Sequence, residues 1–126
     1  MKSSRRAVTI LVMLTVLATA SCLCFPNVRP ALAFTPDRLP EAQPDVPYQI
    51  DIFIAQNTTP VGDMYISEGS LPAGLTFEKL ASEDAGRISG TPVETGTFTI
   101  TVSVWCYGTN VSGQTGEKTY TLVVGP

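Results

Sequence analysis

No histidine occurs anywhere in the chain, so neither a Ser-His-Asp nor a Cys-His relay can be assembled from it. General acid–base work would fall to carboxylates, of which Glu83 and Asp84, with Glu78 nearby, are the closest group. They sit in a polar turn bounded by Ser82 and Gly86, which a solvated loop explains without catalysis. Calcium would need oxygen ligands from several carboxylates at once. Asp37, Glu41 and Asp45 from a Pro-rich stretch, and Glu83 and Asp84 from the turn, are the candidates. Binding through aromatic surface is the remaining chemistry. Trp105, Phe53 and Tyr107 fall on positions that should point away from a core, and exposed aromatic patches mark partner surfaces.

Strands must position these residues. From Thr97 to Tyr107 the chain alternates strictly: Phe98, Ile100, Val102, Val104 and Cys106 face one way, Thr97, Thr99, Thr101, Ser103 and Trp105 the other. Period-two patterning of this length marks a half-buried antiparallel strand. Tyr48–Ala55 alternates likewise, with Tyr48, Ile50, Ile52 and Ile54 on one face and Phe53 among the polar residues of the other. Shorter extended pieces are expected around Met64–Ser67, Leu75–Leu80 and Arg87–Ser89, and a closing strand over Lys118–Val124 with Tyr120, Leu122 and Val124 inward. Gly108–Glu117 reads as a polar loop, and Phe34–Pro47 as a Pro-rich lead-in that includes a short edge strand. No window after the first 33 residues carries a helical period. About seven short strands separated by turn signals predict an all-β sandwich of two antiparallel sheets.

The first 33 residues have a different character. Lys2, Arg5 and Arg6 precede an uncharged apolar run from Ala7 to Phe25, the layout of a secretory signal. Small-residue cleavage patterns occur at Ala18-Thr19-Ala20 and at Ala31-Leu32-Ala33, and cleavage after Ala33 is the expected outcome. Two alternatives stand beside it. Cys22 follows a stretch resembling a lipoprotein box, although Thr19 stands where an aliphatic residue is preferred. An apolar run of about 18 or more residues can also stay in the bilayer as an anchor. Each outcome exports the remainder as a secreted or cell-envelope protein, touching membrane only through an uncleaved or lipidated N-terminus.

Without those residues four of the eight basic side chains are lost and all eleven acidic ones stay, leaving a net charge of −7. Such a domain is repelled by phosphate backbones, which excludes nucleic acid as a partner. The 93 residues left suffice for one small domain, residues 39–126 behind the 34–47 lead-in. Cys106 is its only cysteine, so no internal disulfide can form and the core alone must hold the fold; at an inward position it reads as a core thiol.

Three motifs in order narrow the fold further: Leu71-Pro72-Ala73-Gly74-Leu75, then Gly86-Arg87-Ile88-Ser89-Gly90-Thr91-Pro92, then Gly96-Thr97-Phe98 opening the long alternating strand. Together with Leu39-Pro40 and Pro47-Tyr48 they resemble the immunoglobulin-like domain of bacterial surface and secreted proteins, a relative of cadherin-like domains in dystroglycan-type proteins. The similarity covers Leu39 to Val124. It implies a non-catalytic module serving adhesion or the binding of a protein or glycan at the cell surface, with no cofactor. A structural spacer without a ligand is the alternative, and calcium binding of the cadherin kind is a third; the acidic runs that true cadherins use are absent from the sequence.

Overall fold

The long alternating strand is central to one of two sheets. In the computed structural model, which describes residues 29–110 and 112–126, seven strands form and no helix occurs among the described residues. They are β1 (Ala33–Thr35), β2 (Tyr48–Ala55), β3 (Val61–Gly69), β4 (Leu75–Lys79), β5 (Ala85–Gly90), β6 (Gly96–Cys106) and β7 (Thr115–Val124). One sheet has the order β1-β2-β5-β4, the other β3-β6-β7, and every neighbour is antiparallel. This is the strand order of a seven-stranded immunoglobulin sandwich, with sheets ABED and CFG. Residues 1–28 of the expected signal segment, Cys22 included, lie outside the described residues.

The inward faces meet as the alternation requires. Ile52, Ile54 and Ile88 from the four-stranded sheet pack against Met64, Ile100, Val102, Val104, Tyr120 and Leu122 from the other, all buried. Each such side chain contributes about 1.5–3 kcal/mol on burial. Cys106 ends the inward row of β6 as a free, buried thiol, and burial, aided by the nearby Asp84 carboxylate, raises its pKa.

Three strands run longer than their patterns suggest. β3 covers Val61–Gly69 rather than Met64–Ser67, because register shifts at Val61/Asp63 and Ile66/Glu68 break its period-two signal while its pairing to β6 continues. β7 begins at Thr115, since β6 still offers partners there: Trp105 pairs with Thr115 and Ser103 with Glu117. β5 also extends, to Ala85–Gly90, as it is paired on both sides. The lead-in supplies β1 against β2, then crosses to the other sheet, where Ala42 bridges Val124 in parallel. Two tyrosine hydroxyls clip it down: Tyr120 donates to Pro36 O and Tyr48 to Pro40 O, each at 2.8 Å. Burial pushes both phenols up to about 12.

The motif turns interlock. Thr91 N donates to Gly74 O (3.1 Å), Val93 N to Ala73 O (2.9 Å) and Ala73 N to the Glu94 carboxylate (2.8 Å), while Pro72 and Pro92 are fully buried between them. The Leu-Pro-Ala-Gly-Leu and Gly-Thr-Pro signals are therefore two halves of one structural joint.

On the outer face of the four-stranded sheet, Arg87 grips Asp51 bidentately at 2.7 and 2.9 Å across the β2–β5 register. This hydrogen bond holds the Asp51 carboxyl below its ordinary pKa. A depressed carboxyl stabilises the fold above its unfolded pKa and loses that contribution as pH falls toward the folded value. Acid titration of the thermal midpoint should therefore show a shallower decline below pH of about 4 in Asp51→Asn than in the parent. Parallel acid limbs would remove the pair's role.

Candidate functional site

Residue 62 of β3 has no side chain, and that vacancy determines where the sole tryptophan lies. β3 carries a register shift at this position, so Gly62 stands beside Trp105 of β6 rather than in the regular ladder. A Cβ built on Gly62 would fall on Trp105 Cζ3, with Cη2 and Cε3 almost equally near and all three inside contact distance. The two flanking atoms stand only slightly farther from that Cβ than Cζ3 does, as for a point above the ring; beyond its edge in the ring plane they would be markedly farther. The indole therefore lies with one face on the β3 backbone. The residue remains 40% exposed.

Its neighbours hold that pose. Tyr107 packs edge-on against Trp105, with centroids 5.3 Å apart and planes at 83°. Its own backbone is tied at both ends, Tyr107 N donating to Pro60 O (3.1 Å) and Tyr107 O accepting from Thr59 Oγ1 (2.6 Å). Beyond the indole, Tyr65, Ser103, Thr115 and Glu117 border a shallow depression of about 240 Å³. Tyr65 is opposite Ser103 and Asp63 opposite Trp105 in the β3–β6 register. Hydroxyls continue along the face: Ser67 and Ser103 share a hydrogen bond of 2.7 Å, and Thr101 and Thr119 one of 3.1 Å.

Below this face, a buried amide fastens the loops. Gln114 Oε1 accepts from Thr58 N (2.7 Å) and Thr58 Oγ1 (3.1 Å), and its Nε2 donates to Pro30 O (2.9 Å) and Gln56 O (3.1 Å). All of its hydrogen-bonding capacity is used. No sequence signal points to it, since one Gln among Gly, Ser and Thr has neither period nor motif.

The aromatic group expected from the sequence divides. Trp105 and Tyr107 come together on the three-stranded sheet and Tyr65 joins them, a residue the sequence reading did not single out. Phe53 is exposed too, but it belongs to β2, pairs with Thr35 and Ala85, and lies on the other sheet. A patch comprising Trp105, Tyr107 and Phe53 therefore does not exist.

The calcium candidates are likewise dispersed. Asp37 pairs with Lys118, whose ammonium holds its carboxyl below the ordinary range. Asp45 occupies a turn with φ of 61°. Glu83 is exposed on the β4–β5 turn, and Asp84 beside it is no solvated loop residue. Its two oxygens accept from Val61 N and Asn57 Nδ2, both at 2.8 Å, fastening the start of β3. Among the described residues no three His, Cys, Asp or Glu side chains are placed to hold a metal ion.

Comparison with known proteins adds the family. A family model described as "Putative Ig domain" matches residues 31–125. No curated protein sequence matches the chain. Among solved structures, an SrpA adhesin variant from Streptococcus sanguinis superposes with a TM-score of 0.51 at 14% identity, over 78% of this chain and 57% of its own. An endo-fucoidan hydrolase of glycoside hydrolase family 107 superposes with a TM-score of 0.50 at 20% identity, over 71% of this chain and 15% of its own. The chain thus spans little more than half of one structure and a small part of the other, and at these identities the likeness shows the fold alone.

Proposed function

The chain belongs to the Ig-domain family whose model spans residues 31–125, and from that premise we propose that it is an exported, non-catalytic module that binds a surface partner through the outer face of the β3-β6-β7 sheet. The observation that carries this reading is Trp105, a large aromatic side chain laid flat over Gly62 and left partly open to solvent. Partial exposure alone is ordinary for so large a side chain; what sets Trp105 apart is the flat pose, which turns one ring face to solvent. Held flat by a bulge and an edge-on tyrosine, the indole is pre-organised, which lowers the ordering cost of binding. The adhesin and the endo-fucoidan hydrolase, in which the same fold occurs, are consistent with this reading. Export rests on the charged and apolar N-terminal run.

The second reading is a spacer with no ligand of its own. It is favoured by the short coverage of the neighbouring chains, in which this fold is one piece of a longer protein. Beads carrying the full chain, scored for attachment to cell layers and to polysaccharide-coated plates, separate the two. Binding through the indole face predicts that Trp105→Ala, checked to be folded by its thermal midpoint, lowers attachment about tenfold or more, as expected where a central aromatic anchors an interface. Equal attachment of parent and variant would support the spacer and end the binding proposal.

A further inference from the structure

The chemistry around Trp105 specifies the partner more closely, an inference that rests on the binding reading above. We propose that the depression bordered by Trp105, Tyr65, Ser103, Thr115 and Glu117 takes a pyranose ring of an uncharged polysaccharide or glycan chain, stacked on the outward face of the indole.

Shape is the first ground. At about 240 Å³ the depression is smaller than the roughly 300–1,000 Å³ clefts that engulf drug-sized ligands. It is open, and the indole that borders it is a flat ring lying on the sheet. A ligand seated there keeps one side in solvent and contributes a flat apolar face to the other. The C–H face of a pyranose has that form, and its slightly positive hydrogens meet the negative face of the indole.

Polar groups at the rim are the second. A pyranose is apolar on its faces and hydroxylated around its edge, so it needs donors and acceptors beside the aromatic face rather than above it. Ser103 and Thr115 supply hydroxyls, Tyr65 a phenol and Glu117 a carboxylate acceptor, all bordering the same depression. A protein partner would be expected to meet a wider apolar core. Here the exposed aromatic residues give way at once to the Ser and Thr hydroxyls of β6 and β7.

Charge is the third, and it decides between classes of glycan. The outer face of β3-β6-β7 carries Asp63, Glu68 and Glu117, all exposed. The only basic residue in these three strands is Lys118, which belongs to the inward series of β7 and pairs with Asp37. Sulfated, sialylated or uronate chains would meet carboxylates and no cation, which costs affinity. A neutral chain pays no such penalty and can donate its hydroxyls to the same carboxylates.

Because the chain has a single tryptophan, its emission reports on this site alone. The full chain is titrated with cellohexaose, xylohexaose and mannohexaose, and separately with hexagalacturonate as the anionic counterpart, with calorimetry in parallel. The expected result is saturable emission change and heat with at least one neutral oligosaccharide and none with hexagalacturonate. Trp105→Ala, followed by calorimetry, should abolish that binding, and Tyr65→Ala should weaken it by up to about tenfold, the order expected when one hydrogen-bonding rim group is lost. If Trp105→Ala fails to fold, Trp105→Tyr keeps a smaller platform and should bind more weakly than the parent. No response to any neutral oligosaccharide up to about 10 mM, or equal binding of hexagalacturonate, overturns the inference. Binding that survives Trp105→Ala in a folded protein also overturns it. Bead attachment that is lost in Trp105→Ala yet unaffected by excess neutral oligosaccharide would leave the binding module standing and refute its glycan specificity.

Discussion

Replacing Gly90 by alanine is expected to cost about 3–5 kcal/mol, a large share of the roughly 5–15 kcal/mol that holds a domain of this size. Gly90 ends β5 with φ of 132°, a conformation close to glycine's alone. A Cβ there would strike the Gly74 carbonyl oxygen, well inside contact, and that oxygen accepts the hydrogen bond from Thr91 N. The obstacle is backbone, so no rotamer relieves it. Either β5 retreats from β4 or the joint between the two motif turns opens. Gly96 provides the comparison: its φ of 136° is similar, but a Cβ would meet only the Phe98 ring at 3.7 Å. Gly96→Ala should then show the conformational cost alone, about 1–3 kcal/mol. Urea unfolding of the three proteins checks this through the midpoint at constant slope. Similar losses in both variants would mean that the Gly90–Gly74 approach is not what the motif protects.

A chain beginning at Phe34 should be less stable than one beginning at Arg29 by about 2–4 kcal/mol. Pro30 O accepts one of the two Gln114 amide bonds, so its removal leaves a donor of a buried side chain unpaired. Leu32 packs on the core cluster and lies 3.3 Å from where a Gly116 Cβ would stand. Ala33 pairs with Ala55 as the first rung of β1, and Arg29 Nη1 donates to Ser112 O at 2.8 Å. Each contribution is modest, but all act at the loop end where Gln114 joins residues 30, 56 and 58. Thermal midpoints of the two lengths measure the sum. Identical midpoints would show that residues 29–33 rest on the domain without supporting it. The prediction bears on processing, because cleavage after Ala33, the outcome favoured by the Ala-Leu-Ala pattern, would remove these contacts. Cleavage after Ala20 would keep them.

These cases show which features the sequence displayed. β2 was legible over its whole length because Ile50, Ile52 and Ile54 alternate without interruption, and β6 to within a residue at each end for the same reason. β3 was half legible, since the shift at Gly62 puts Val61 and Met64 out of phase in a strand whose hydrogen bonds continue. That same shift seats Trp105, so the irregularity that hid the strand also builds the site. Alternation placed Trp105 and Phe53 outward correctly, but an outward position has two destinations in a sandwich. Only the pairing of β2 with β1 and β5, and of β6 with β3 and β7, puts them on opposite faces. Gln114 and Asp84 were opaque because their roles depend on partners 23 to 84 residues away in sequence, brought close by the fold.

That division of the aromatic residues also supplies the most direct test of the binding surface. Phe53 and Trp105 are 47% and 40% exposed, so truncating either removes a comparable amount of open aromatic surface. Bead attachment of Trp105→Ala and Phe53→Ala should be measured side by side with the parent, with thermal midpoints confirming that both variants fold. The β3-β6-β7 face predicts that Trp105→Ala loses attachment about tenfold or more while Phe53→Ala keeps it. Equal attachment of the two variants, or loss in Phe53→Ala alone, would contradict it.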